Sequence, residues 1–178
     1  MRVSWLIPVR DRSAWLREAV ESAVHDSGAN DEILVIDDGS EVPAESVLPV
    51  DSRIRIIRQE AQGLVAALER GRRRARGRYL ARLDSDDVSL EGRLQAQVDR
   101  LDAEPDLVAV GGQVAFHPDQ ASPPLGMRHY LAWINTLSNP MVELLVESPL
   151  IHPSVLLRAK AVEAVGGYRD TGMPEDYE

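Results

Sequence analysis

The chain has 178 residues, with 20 Lys and Arg against 29 Asp and Glu, and a formal net charge of -9. This length suits one domain, and a hydrophobic fraction of 44% excludes dominant disorder. The acidic charge argues against a nucleic-acid partner, and the absence of cysteine excludes disulfides and cysteine-ligated zinc. No apolar run approaches the ~20 residues of a membrane span. We therefore expect a cytoplasmic protein, with peripheral attachment to the inner face of the cell membrane left open.

Short apolar runs alternate with helical patterns through the first 112 residues. Apolar residues at helical spacing predict helices near Ser13, Gly63 and Leu90. Strands are predicted before and between these helices, at Val3–Ile7, Glu32–Ile36, Arg53–Ile57, Tyr79–Leu83 and Leu107–Val110. This alternation predicts an α/β fold, with a mostly parallel central sheet and helices on both faces.

After residue 112 the pattern is looser. Residues 117–126 are a Pro-rich loop, and Tyr130–Glu147 has a helical pattern that Pro140 interrupts. A strand is predicted at Ser154–Leu157 and a short helix at Ala159–Val165, which Gly166 and Gly167 would end.

Two acidic segments follow predicted strands. Asp84-Ser85-Asp86-Asp87 follows the fourth strand, and Asp37-Asp38-Gly39-Ser40 follows the second. Ligands of such sheets bind at the carboxyl ends of the strands. Asp84 and Asp86 could form a hard-oxygen site for Mg²⁺ or Mn²⁺ that binds a diphosphate, or a solvated turn that caps a helix. Asp38 could accept hydrogen bonds from a nucleoside, or belong to an Asp-Gly turn.

Three further features are open to more than one interpretation. Asp176 in the acidic segment at the end of the chain could act as a general base, or be solvated. His152 lies between prolines and is either a packing residue or part of a site. Seven arginines between Arg70 and Arg82 are interpreted mostly as the polar face of a helix, with one or two within reach of a phosphate.

Taken in chain order, these segments resemble the family 2 glycosyltransferases, which have the Rossmann-like GT-A fold of nucleotide-diphospho-sugar transferases. Each motif is weak by itself, but their common order covers nearly the whole chain. The matching segments are Val3–Asp11, Ile33–Ser40, Gly63–Gly77, Arg78–Asp87, His152–Val155, Gly166–Arg169 and Glu175-Asp176.

The resemblance implies one GT-A domain over residues 1–178. Residues 1–112 would be the nucleotide-sugar-binding half, and residues 113–178 the acceptor-side half. Because the family's domain continues past its Glu-Asp motif, we expect this chain to be truncated at its C-terminus. Arg10 and Asp11 replace the family's usual Tyr-Asn, and Glu69 stands where the family often has Asn.

The resemblance also implies an inverting transfer of sugar from a UDP-sugar to a hydroxyl group. The acceptor would be a glycan, a lipid-linked molecule or another glycoconjugate precursor of the cell envelope. Pro8, Arg10, Asp38 and Asp84 would bind the nucleotide-sugar.

The same resemblance assigns the remaining roles. Asp84 and Asp86 would hold Mn²⁺ or Mg²⁺ against the diphosphate. Asp176 would deprotonate the acceptor hydroxyl, and His152 and Glu175 would lie on the acceptor side.

Three alternatives remain beside this interpretation. The first is a noncatalytic nucleotide-sugar-binding domain. A receiver-type signalling domain would need a lysine at a later strand end, but the only lysine, Lys160, lies in a predicted helix. A phosphatase-like magnesium-binding domain would carry its acidic motif after the first strand, whereas here the motif follows the fourth.

Overall fold

A computed structural model describes residues 2–11, 13–117, 123–137, 148 and 150–172. In this part of the chain, six strands form one sheet and five α-helices surround it. The strands are β1 (Val3–Val9), β2 (Glu32–Asp38), β3 (Ile54–Gln59), β4 (Tyr79–Arg82), β5 (Ala109–Val110) and β6 (Leu156–Arg158). The helices are α1 (Ser13–Asp26), α2 (Leu64–Arg74), α3 (Arg93–Ala103), α4 (Leu125–Ile134) and α5 (Ala159–Ala164).

The sheet has the strand order β3-β2-β1-β4-β6-β5. Strands β1 to β4 pair in parallel, whereas β6 is antiparallel to both of its neighbours, β4 and β5. The α/β fold with a mostly parallel sheet is therefore confirmed. The antiparallel insertion of β6 between β4 and β5 was not predicted, because the direction of this strand depends on where a distant segment docks.

The two central strands are buried on both faces. All seven residues of β1 and all seven of β2 are buried. Continuous apolar runs of this kind are typical of parallel strands covered by helices on both sides. Trp5 and Ile7 of β1 face one core cluster, and Leu6 between them faces the other.

Helices cover both faces of the sheet, as predicted. Helices α1 and α3 pack on the face of Trp5 and Ile7, and α2 packs on the face of Leu6. Gly71 lets α2 approach closely, because a Cβ atom there would lie 2.8 Å from the Cδ1 atom of Ile36.

Several predicted boundaries differ from the structure. Helix α3 begins at Arg93, so Leu90 precedes it in a turn and is 68% exposed. Strand β5 has only two residues, and the helix predicted from Tyr130 begins earlier, at Leu125. The rest of that predicted helix, residues 138–147, lies outside the described residues.

The later segments are attached to the sheet by side chains that bond to backbone carbonyls. Arg158 donates to the carbonyl oxygens of Leu107 at 2.7 Å and Glu104 at 3.1 Å. Gln97 of α3 donates to those of Val110 at 3.1 Å and Ser154 at 2.7 Å. Because β6 is antiparallel to β4, its start lies beside the end of β4. Among the described residues, none of the helices is long and apolar enough to cross a membrane.

Candidate active site

The carboxyl ends of β1, β2 and β4 meet at one edge of the sheet because these strands are parallel. Val9 is level with Asp37, and Leu6 is level with Arg82. Asp84, two residues beyond Arg82, therefore comes level with Pro8. The fold thus brings the predicted residues Pro8, Asp38 and Asp84 to the same edge.

Asp38 is held by three hydrogen bonds and is 4% exposed. Its Oδ1 atom accepts from the Gln59 side chain at 2.7 Å and from the Gln62 backbone N–H at 2.8 Å. Its Oδ2 atom accepts from the Gly63 N–H at 2.8 Å. A carboxylate has about four lone-pair directions, so little acceptor capacity remains. In this structure Asp38 fixes the loop that leads into α2, and nucleotide binding remains a prediction for it.

The loop after β1 is bonded to the loop after β2. Asp11 has a positive φ of 55°, and its N–H donates to the Ser40 hydroxyl at 3.2 Å. Its carboxylate accepts from the Glu41 N–H at 2.8 Å. Arg10 is exposed, with its Nε atom 3.9 Å from the Asp11 carboxylate. The guanidinium of Arg10 therefore lies at the site edge and faces solvent.

Arg82 is the last residue of β4 and is 1% exposed. Its Nη2 atom donates to Asp84 Oδ1, and its Nη1 atom donates to the carbonyl of Leu83. The Arg82 Nε–H is buried without an acceptor among the described residues, which costs about 1–3 kcal/mol. The Asp84 side chain is 38% exposed, and its Oδ2 atom accepts no hydrogen bond from the described residues.

The acidic turn, residues 84–87, suits a cation that a bound ligand would also coordinate. The described residues contain no group of three or more His, Cys, Asp or Glu side chains that could enclose a metal ion. Asp86 is exposed, and Asp84 presents one oxygen that the described residues leave unbonded. Mg²⁺ is commonly bound by one or two carboxylates together with substrate phosphates. The donor set of Asp84 and Asp86 therefore suits a divalent cation that a diphosphate would help to coordinate.

A cavity of about 860 Å³ lies beside this turn. Asp86, Asp87 and Arg93 line its polar side, and mostly apolar residues of α3, β5, the following segment and α4 line the rest. The pKa of Asp87 is raised, first by burial of its carboxyl group and then by the charges of Asp84 and Asp86. The closely spaced carboxylates therefore repel one another, and a bound cation would relieve that repulsion.

Arg93 is a half-buried cation in the lining of this cavity. Burial lowers the pKa of Arg93 to about 10. Its Nη2 atom donates to the Arg82 carbonyl at 2.9 Å, and its guanidinium lies 5.3 Å from the centre of the Trp5 ring. These contacts leave Arg93 charged at neutral pH, next to the carboxylates.

The predicted acceptor-side residue His152 also reaches this edge. It lies in a 3-10 turn just before β6, and its ring centre is 6.1 Å from that of Tyr168. Burial raises the pKa of Tyr168, and its hydroxyl meets no partner among the described residues. Glu175 and Asp176, the other predicted acceptor-side and catalytic residues, lie outside the described residues.

A second cavity, of about 340 Å³, lies at the N-terminus of α2. It is lined by residues 62–66, Tyr168 and Asp170. Glu69 joins these two regions, because its Oε2 atom accepts from the Tyr168 N–H at 3.1 Å and from Arg72 Nε at 2.7 Å. Bonds to Arg72 lower the pKa of Glu69 to about 2, so it is ionised at neutral pH.

Sequence reasoning missed the roles of Arg82, Tyr168 and Glu69. Arg82 lies in the predicted strand Tyr79–Leu83, but its burial and its bond to Asp84 were not predicted. The sequence did contain a signal for this pair. An arginine in an otherwise apolar strand requires a buried partner, and Asp84 follows two residues later, at the spacing that places side chains on the same face of a strand. No local signal pairs Glu69 with Tyr168, because 99 positions separate them.

With this geometry established, comparison with known proteins identifies the family. The profile of Glycosyl transferase family 2 matches residues 4–166. The chain therefore belongs to glycosyltransferase family 2, and its fold is the GT-A fold.

Curated relatives are glycosyltransferases by name. The chain is 39% identical over 100 residues to an uncharacterized glycosyltransferase of Rickettsia felis, an alignment that covers 54% of this chain and 17% of the relative. It is 26% identical over 180 residues to an Escherichia coli UDP-Gal:alpha-D-GlcNAc-diphosphoundecaprenol beta-1,3-galactosyltransferase, covering 96% of this chain and 62% of that protein. The chain thus spans less than two thirds of either relative.

Solved structures show the same fold at low sequence identity. Staphylococcus aureus TarS in complex with UDP-GlcNAc superposes with a TM-score of 0.75 at 16% identity, over 99% of this chain and 51% of TarS. A mannosyltransferase of Pyrobaculum calidifontis in complex with GDP-Man and Mn²⁺ has a TM-score of 0.70 at 18% identity, over 98% of this chain and 50% of that one.

Proposed function

We propose that this chain is the donor-binding and catalytic domain of a glycosyltransferase that moves a sugar from a UDP-sugar to an acceptor hydroxyl with inversion. The observation that carries the proposal is the meeting of three parallel strand ends at one edge, where the partly exposed Asp84 and the exposed Asp86 lie together. An acidic edge of this kind attracts a phosphorylated donor only with a cation, which the two carboxylates suit.

In this proposal the nucleoside binds between the ends of β1 and β2. Pro8, which is buried, forms the floor, and Arg10 supplies an exposed guanidinium at the rim. Asp38 holds the loop before α2 and has acceptor capacity left for about one more hydrogen bond. UDP is the proposed nucleotide because the E. coli relative is named for UDP-Gal and TarS was solved with UDP-GlcNAc.

The diphosphate would lie at the end of β4. Asp84 and Asp86 would hold Mn²⁺ or Mg²⁺ there, and such a cation neutralises the charge that develops on the leaving diphosphate. Arg82 already orients Asp84, and the side chain of Asp86 is exposed.

Acceptor activation is assigned by resemblance to Asp176. A carboxylate placed next to the acceptor hydroxyl can take its proton as the oxygen attacks the anomeric carbon. His152 and Glu175 would contact the acceptor, which we propose is a glycan or lipid-linked molecule of cell-envelope synthesis. The name of the E. coli relative, which includes diphosphoundecaprenol, supports a lipid-linked molecule.

Calorimetry of UDP binding with and without Mn²⁺ tests the donor site. We expect binding that EDTA weakens, and Asp86→Ala should weaken Mn²⁺-dependent binding at least about tenfold, or about 1.4 kcal/mol. The loss follows from removal of one of two protein carboxylates from the cation.

The matched control is Asp106→Ala. Asp106 is exposed and precedes β5, which runs in the direction of β4, so it lies at the opposite edge of the sheet. This variant should bind UDP as the wild type does. Equal UDP affinity of wild type and Asp86→Ala in saturating Mn²⁺ would refute the metal assignment.

Asp176→Asn tests the proposed base in a protein long enough to carry the full family domain. The amide cannot take the hydroxyl proton, so transfer from UDP-sugar should fall by about 10²–10⁴-fold while UDP affinity stays unchanged. Turnover at the wild-type rate would exclude Asp176 as the base. Wild-type binding of UDP without any transfer would favour the noncatalytic nucleotide-sugar-binding alternative.

A further inference from the structure

Arg82 is a charged residue in a place where charge is costly. It lies at the end of β4 and is 1% exposed, on the sheet face that α2 covers, since its strand neighbours Ala81 and Leu83 face the other core cluster. A guanidinium is retained in such surroundings only when specific partners compensate for its lost hydration. Its partners therefore indicate what the residue does.

Among the described residues, the partners of its guanidinium lie at the acidic turn. Nη2 donates to Asp84 Oδ1, and Nη1 donates to the carbonyl of Leu83, the residue that joins β4 to the turn. The two bonds hold both the side chain of Asp84 and the backbone that carries it. The backbone of Arg82 is fixed as well, because its N–H donates to the Val155 carbonyl at 2.9 Å and its own carbonyl accepts from Arg93.

We infer that Arg82 is a positioning residue for cation and donor binding, which sets the orientation of Asp84. With Oδ1 taken by Arg82, Asp84 presents only Oδ2 outward, so it binds a cation or a ribose hydroxyl through one oxygen. Asp86, whose side chain is exposed, would then supply the second carboxylate. This inference rests on the proposed function, and it adds a residue that touches neither donor nor acceptor.

The geometry requires arginine in particular. A planar guanidinium can donate to the carboxylate and to the carbonyl at the same time, whereas a lysine ammonium on its flexible stem is a point charge with no fixed fork. Arg82→Lys should therefore keep the buried charge but lose part of the alignment. Arg82→Met should lose both.

The test measures Mn²⁺-dependent UDP affinity for wild type, Arg82→Lys and Arg82→Met. Loss of a residue that orients a metal ligand typically costs about 10–100-fold in metal affinity, so we expect about tenfold weaker Mn²⁺ dependence for Arg82→Met. Arg82→Lys should fall between this variant and wild type. UDP binding in EDTA should change less than about twofold, because no direct donor contact is lost.

The matched control is Arg55→Met. Arg55 is also a strand arginine paired with a buried carboxylate, Glu32, but this pair lies where β2 and β3 begin, at the opposite edge. Both Met variants should lose thermal stability, and only Arg82→Met should lose Mn²⁺ dependence. An unchanged Mn²⁺ dependence in folded Arg82→Met would overturn the inference. If that variant does not fold, an unchanged Mn²⁺ dependence in Arg82→Lys would do the same.

A second measurement separates this inference from the proposed function. If the wild type binds no UDP, the proposed function fails, but positioning can still be judged from the backbone amide resonances of residues 84–87. Arg82→Met should shift these resonances, and Arg55→Met should leave them in place. Unshifted resonances in Arg82→Met would show that Arg82 does not orient the turn.

Discussion

The strands on the two sides of β4 are built differently. On one side, β1 and β2 are seven residues long and buried at every position. On the other side, β5 has two residues and β6 has three, and most of these are only partly buried. The first region has a core of its own, whereas the second is joined to that core by a short pairing with β4, by the buried Leu156 and by side chains such as Arg158 and Gln97.

This difference matches the proposed division of labour. A donor site that must hold a cation and a diphosphate benefits from rigid strand ends, because small displacements of ligating carboxylates weaken binding. An acceptor region tolerates, and often needs, a less stable structure, since binding elements are drawn from the regions that open most easily. The boundary runs along β4, whose end carries Arg82 and Asp84.

The largest effect is expected from truncating one leucine on each side of β4. Leu34 of β2 is fully buried, and Leu157 of β6 packs partly buried against the same core cluster. Leu34→Ala should lower the free energy of unfolding by about 3–4 kcal/mol, and Leu157→Ala by about 1–2 kcal/mol, because less apolar surface and a smaller cavity are involved. Urea denaturation measures both.

Each variant serves as the control for the other, because both remove the same side-chain atoms of a leucine from the same face of the sheet. Hydrogen exchange adds local detail: amides of β1 and β2 should exchange only with global unfolding, and those of β5 and β6 faster. Equal costs for the two truncations, or equal protection of the two regions, would contradict the division into a rigid and a weakly attached part.

A smaller effect is expected at the bond between α2 and Tyr168. Because Arg72 holds the pKa of Glu69 at about 2, below its ordinary 4.5, the ionised form stabilises the fold above pH 4.5. That contribution is lost as the pH falls from 4.5 toward 2. Glu69→Gln should therefore lower the free energy of unfolding at pH 7 by on the order of 2 kcal/mol, and by much less at pH 2.5.

Glu21→Gln provides the reference for this change. Glu21 forms an exposed pair with Arg17 on α1, and its side chain is 51% exposed, so its replacement should cost at most about 0.5 kcal/mol. Unfolding curves at pH 7 and pH 2.5 distinguish the two sites. A Glu69→Gln penalty that does not depend on pH would show that hydrogen bonding alone, without the carboxylate charge, joins Tyr168 to α2.

Much of the donor half was predictable because its signals are local. The apolar runs of β1 and β2, and the helical spacing of α1, determine burial within a few residues of each position. Leu90 was assigned wrongly to a helix face because a turn with apolar residues imitates that spacing. The role of Glu69 could not be found in this way, because its partner Tyr168 lies 99 positions away. For Arg82 the nearby Asp84 was a local signal, but its burial depends on packing.

The amino-acid sequence by itself determined the α/β class, the order of the first four strands along the chain and the two acidic strand ends, because each follows from short-range hydrophobic pattern and turn chemistry. The excess of negative charge argues against a nucleic-acid partner. Part of this charge lies at the acidic edge of the sheet, beside the Arg82–Asp84 pair. Only the tertiary structure decided that β6 inserts antiparallel beside β4, and that an arginine two residues before Asp84 is buried against it. The first depends on pairing between distant strands, and the second on the burial of the end of β4, and neither exists before the sheet has formed.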